Sequence, residues 1–182
     1  ILVMFFCYCA LESTAMLWGS SYMVLGKGID KTTAATWASL FCIGITVGRL
    51  ASGFLTMKFD DPTMIRLGQA LVLTGIVSML LPLPHNIGTI MGLMVIGLGC
   101  APIYPCVIHS TPAYFGEDKS QAIVGMQMAC AYVGSMCMPP VFGLIAQHVS
   151  VLWFPLYMLV FLVLMVIMHE SLRKKCAGQT IG

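Results

Sequence analysis

Charge is what this sequence has least of. Asp, Glu, Lys and Arg make up 9% of its 182 residues, against about 25% in a typical globular chain. None falls between Arg66 and Glu117, and none between Lys119 and Glu170. A soluble fold of this length could not cover its surface with so few polar groups. The net charge of +2 gives no reason to expect a nucleic acid or an anionic surface as partner. Catalytic signatures are missing too. There is no HExxH or GxSxG, which argues against an intramembrane enzyme, and no Walker A pattern, which argues against ATP-driven pumping. No CxxC pair or Cys/His set with metal spacing is present, so neither a metal nor another cofactor is expected. Seven of the eight cysteines (Cys7, Cys9, Cys42, Cys100, Cys106, Cys130 and Cys137) lie in apolar runs, where Cys behaves as a small hydrophobe. The charged n-region and small-residue cleavage site of a signal peptide are absent at Ile1-Leu2-Val3-Met4-Phe5-Phe6. That start, inside an apolar run and without an initiator Met, reads as a longer polypeptide cut at or within a membrane helix.

What the chain does have is apolar length. Hydrophobic residues make up 59% against roughly 45–50% in a globular chain, and the mean hydropathy is +0.93. A spanning helix needs about 20 apolar residues, which allows six spans. Polar punctuation places them at about 1–25, 33–57, 63–83, 87–109, 121–147 and 151–168, with 173–182 as a tail. The apolar segments are continuous rather than alternating, which excludes barrel strands. The expected fold is therefore an all-α integral membrane bundle of six helices.

Basic residues sort the loops. Lys58, Arg66, Lys119, Arg173, Lys174 and Lys175 fall on one side, and Lys27 and Lys31 on the other. The positive-inside rule then puts the C-terminus in the cytoplasm. Trp153, Phe154 and Tyr157 at the outer start of the sixth span fit an interfacial aromatic belt. Gly44–Gly48 and Gly88–Gly92 are GxxxG pairs, which allow close helix packing.

Function is sought in the polar groups that the bilayer makes expensive. Glu12 falls mid-span on a face shared with Tyr8, Ala15, Gly19 and Tyr22, small and polar enough to line a watered path. A carboxyl group there suits a proton-coupling role; the alternative is a structural pair with a neighbouring helix. Arg49, after Gly48, reads as a gating or structural residue that could snorkel or meet Glu117 or Asp118. Gly97-Leu98-Gly99-Cys100-Ala101-Pro102-Ile103-Tyr104-Pro105 predicts a broken fourth helix. Broken helices are where carriers place substrate sites. Tyr104, Gln127 and Trp18 join Glu12 and Tyr22 as solute-contact candidates, with ordinary packing or an interhelix bond as the alternative for the first three. His109 reads as an interfacial residue, with a proton shuttle as the alternative, and Pro139-Pro140 as a kink in the fifth helix.

The Gly48–Lys58 and Gly97–Pro105 segments, with Tyr8 to Glu12 and Trp18, resemble the C-terminal half of a major facilitator superfamily transporter. The likeness is nearest to the fucose–proton symporter-like branch and covers essentially the whole chain. The superfamily's inner-loop motif is only partly kept. Met57 takes its Asp position, Lys58 matches its basic one, and Asp60 takes its Gly position. The resemblance implies two six-helix bundles rocking about a central site, each built of inverted three-helix repeats. It further implies a small polar solute, such as a sugar, moved with protons by alternating access. On this reading the partners are the solute, protons, the lipid of the cell membrane and the other six-helix half. A non-transporting sensor or scaffold on the same fold is the competing reading.

Overall fold

The computed structural model describes residues 1–81 and 86–179, the last four by backbone alone. Six long helices follow one another: α1 Leu2–Ser21, extended by a π-helical turn at Tyr22–Gly26, α2 Lys31–Leu55, α3 Asp61–Leu80, α4 Ile87–Phe115, α5 Glu117–His148 and α6 Phe154–Gln179. All six are long and apolar enough to cross a bilayer, and no strand occurs among the described residues. The expected Pro82–His85 break falls outside them.

Local chemistry sets the ends. The Asp30 carboxylate accepts from the backbone N–H groups of Thr32 (3.0 Å) and Thr33 (3.3 Å), so α2 starts two residues earlier than the polar punctuation suggests. Pro62 sits in the first turn of α3, where its missing N–H costs nothing. Gly116, at φ 82°, halts α4 in a backbone conformation open to glycine. The helix thus continues well past His109. Residues 173–179, expected as a tail, extend α6.

One expectation is overturned: α4 is not broken. It runs continuously through Pro102, Pro105 and Pro112. Each proline removes one ladder donor, and at Pro102 the carbonyl it deprives is that of Leu98. That oxygen lies against Gly48 of α2, so close that a Cβ on Gly48 would come within 2.8 Å of it. A freed carbonyl is tolerable at membrane depth when it is buried in protein, and a Cα–H of glycine can face it at short range.

Packing relates the two halves of the bundle. The main contacts of α1 are with α5 and then α6, and those of α4 with α3 and α2. Lighter contacts join α1 to α2, α4 to α5, α3 to α6 and α1 to α4. Exchange of α1, α2 and α3 for α4, α5 and α6 leaves this set of partners unchanged. With short connections, successive helices run antiparallel, so α1 and α4 point in opposite directions. The bundle is an inverted pair of three-helix units. Its α1–α5–α6 side is filled by aromatics: Trp18, Tyr22, Phe142, Phe154, Tyr157 and Phe161 meet with ring centroids 5.0–5.5 Å apart. Phe154 is therefore fully buried, and the Tyr157 hydroxyl donates to the Met138 carbonyl at 2.8 Å. Of the expected belt residues only Trp153, half-exposed, faces outward.

Candidate functional site

Four helices converge near Glu12. The Tyr8 hydroxyl, one turn back on α1, engages the half-buried Glu12 carboxyl group. Arg49 of α2 acts on it through its charge. Cys100 of α4 and Cys9 also lie within range of Glu12. The Tyr104 ring packs on Phe5 and Tyr8 at centroid distances of 5.2 and 6.2 Å, and its hydroxyl reaches the Met128 sulfur of α5 at 3.4 Å. The acid within electrostatic reach of Arg49 is thus Glu12. Glu117 and Asp118, expected as its partners, are in neither of the ion pairs among the described residues.

From this junction a groove runs along the seam of α2 and α4. Its first cavity, about 410 Å³, is lined by Arg49, Ser52, Gly53, Thr56, Tyr104 and Pro105. A second, about 340 Å³, is lined by Thr56, Asp61, Pro105, Cys106 and His109. A third, about 430 Å³, continues past Asp60, Asp61 and His109 to Tyr114. Thr56 belongs to all three, so they form one channel-like groove. At its far end the His109 Nδ1 and an Asp61 oxygen lie 2.6 Å apart, tying α4 to the start of α3. A separate bidentate pair, Arg66 with Glu170 at 2.7 Å, ties α3 to α6. Among the described residues no three His, Cys, Asp or Glu side chains converge as a metal set.

The groove's α2 wall was readable but not read. Ser52, Gly53 and Thr56 follow Arg49 at spacings of three, four and seven, a single helix face. Asp61–His109 spans 48 residues and Arg66–Glu170 spans 104, and no spacing rule links such positions.

The remaining candidates lie elsewhere. Trp18 donates its indole N–H to the Pro139 carbonyl at 3.0 Å and meets Phe142 edge-on. Tyr22 is buried and stacked on Phe154, with the Lys27 ammonium 5.8 Å from its ring. Gln127 has no exposed surface, and its side-chain N–H donates to the Thr111 hydroxyl at 3.1 Å. Gly48 and Pro102 meet at the α2–α4 crossing, while Pro105 lines the groove.

The geometry is an inverted six-helix bundle with a charged mid-span junction beside a groove of mixed polar and apolar lining. Comparison with protein families decides the matter, because the model of the Major Facilitator Superfamily matches residues 1–175. The chain belongs to the major facilitator superfamily. No curated protein matched the chain. As a superfamily member it is a multi-pass membrane protein of the transporter class, and the Glu12 junction and the groove are where its solute chemistry is to be sought.

Proposed function

We propose that the chain is one wall of a proton-coupled secondary transporter, the C-terminal of two six-helix bundles, moving a small polar solute such as a sugar by alternating access across the cell membrane. One observation carries the reading: a half-buried acid in the middle of α1 lies beside a tyrosine hydroxyl and within electrostatic reach of the arginine that lines the groove. Intramembrane acids and bases are rare because each costs about 2.5–3.5 kcal/mol on insertion scales, and they cluster at ion and substrate paths. Glu12 can hold a proton or present a negative charge to Arg49. Switching between these states changes what Arg49 is free to bind, and this couples the proton to the solute. Arg49 is then the gating residue, Gly48 and Pro102 form the tight crossing that positions it, and Tyr104 with Pro105 forms the facing wall.

A companion bundle is supported by the unequal burial of the helices. The most apolar stretch of α2 is 22% buried and that of α5 is 28%, against 61% for α4. The two under-covered helices exchange places in the inverted repeat.

The test uses the full-length polypeptide in proteoliposomes. Glu12→Gln should abolish solute accumulation driven by a proton gradient while leaving solute exchange across the membrane intact. Unchanged proton-driven accumulation would remove Glu12 from the mechanism. Solute binding without any flux would favour the sensor reading.

A further inference from the structure

The first cavity has a lining from which the class of solute can be read. Arg49 is the one charged side chain among its six residues. The two ion pairs among the described residues, Arg66–Glu170 and His109–Asp61, do not involve it. Its five N–H groups form a fork that matches a carboxylate. The hydroxyls around it are committed in one direction. Ser52 donates to the Arg49 carbonyl at 2.9 Å, and Thr56 donates to the Gly53 carbonyl at 3.2 Å. Each hydroxyl has a single proton, so what both retain toward the cavity is oxygen lone pairs, which accept. The Tyr104 hydroxyl is directed at a sulfur, a weak acceptor that a better one can displace.

The cavity therefore offers a strong cationic donor at one point and hydroxyl acceptors one and two turns further along α2. None of its six lining residues is an acid, and Asp61 of the adjoining cavity is held by His109, so the hydroxyls of a neutral sugar find no free carboxylate beside Arg49. At about 410 Å³ it falls within the range of about 300–1,000 Å³ typical of small-molecule sites. We propose that the solute is a small hydroxylated carboxylate, a sugar acid rather than a neutral sugar, with its carboxylate on Arg49 and its hydroxyls donating to Ser52 and Thr56. This rests on the carrier reading above and sharpens it. Proton and anion are then linked through one guanidinium: an ionised Glu12 competes with the solute for Arg49, and a protonated one gives it up.

The experiment measures binding to the purified full-length protein by isothermal titration, with galacturonate, galactose and acetate as probes, and flux of the same three in proteoliposomes. Galacturonate and galactose share a ring and differ in the carboxylate; acetate has the carboxylate without hydroxyls. Galacturonate should bind at least about tenfold tighter than either of the others, as expected for a hydrogen-bonded charge pair. Arg49→Gln should erase the margin over galactose, and Arg49→Lys should keep part of it, because lysine retains charge but not the fork. Thr56→Val, at an exposed position outside the packed core, should narrow the margin over acetate. Equal binding of galactose and galacturonate, no binding of galacturonate, or an unchanged margin in Arg49→Gln overturns the proposal. Proton-driven galactose flux alongside equal binding would leave the carrier reading standing without the anion. Galacturonate bound through Arg49 but never moved would do the reverse.

Discussion

Gln127 and Thr111 show what a buried polar pair does in this protein. Both are fully buried, Gln127 donates to the Thr111 hydroxyl, and Thr111 passes its own proton to the Val107 carbonyl at 2.9 Å. The bond clamps α5 to α4. Replacing one partner, as in Gln127→Leu or Thr111→Val, should cost about 1 kcal/mol, the scale found for hydrogen bonds between membrane helices. The double replacement should cost less than the sum of the two, which a double-mutant cycle by denaturant unfolding in detergent will read. At this scale the sequence was partly legible. Polarity in an apolar run singled out Glu12, Arg49, Tyr104 and Gln127 from composition alone. It could not say which of them meet across helices, because that depends on how each helix is rotated in the bundle. Glu12 comes within electrostatic reach of Arg49, whereas Trp18 turns to Pro139.

Helices were more legible than side chains. Apolar length and polar punctuation located all six, with ends displaced by a few residues where a cap, a first-turn proline or a left-handed glycine decides. The larger misreading concerned α4, where prolines that would end a helix in water sit inside a continuous one. The protein around them supplies what water would have supplied. Glycine makes that enclosure possible. A Cβ on Gly44 would come within 2.2 Å of the Met94 carbonyl oxygen, and one on Gly97 within 2.2 Å of the Phe41 oxygen, whereas one on Gly53 would meet nothing within 4 Å. Gly44→Ala and Gly97→Ala should therefore force α2 and α4 apart and destabilise the protein by about 1–3 kcal/mol each. Gly53→Ala should leave unfolding essentially unchanged. Unfolding midpoints in detergent compare the three, and equal losses would contradict the crossing described here.

The whole molecule has a direction as well as a shape. From the distribution of basic residues we propose that the ends of α2, α4 and α6 lie in the cytoplasm. An introduced cysteine at Lys27 should accordingly react with a membrane-impermeant maleimide in intact cells, and one at Lys119 only after permeabilisation. Both belong in a background where the exposed Cys42 and Cys137 are serine. The reverse pattern would invert the topology and place the Asp61–His109 end of the groove outside. Fold class and family were open to the sequence because membranes allow so few architectures. The interlocking of the two three-helix units was not, since it depends on contacts between distant segments. That interlocking bears on how the protein is made. The indole of Trp18 finds its acceptor 121 residues later, a wait on the order of 10 s at ribosomal speeds of about 5–20 residues per second. For that time α1 must stay in the insertion machinery or the lipid with its indole unanswered, while Tyr8 on the same helix already engages Glu12. Biogenesis of this protein should accordingly depend on a factor that shelters polar helices until their late-born neighbours emerge.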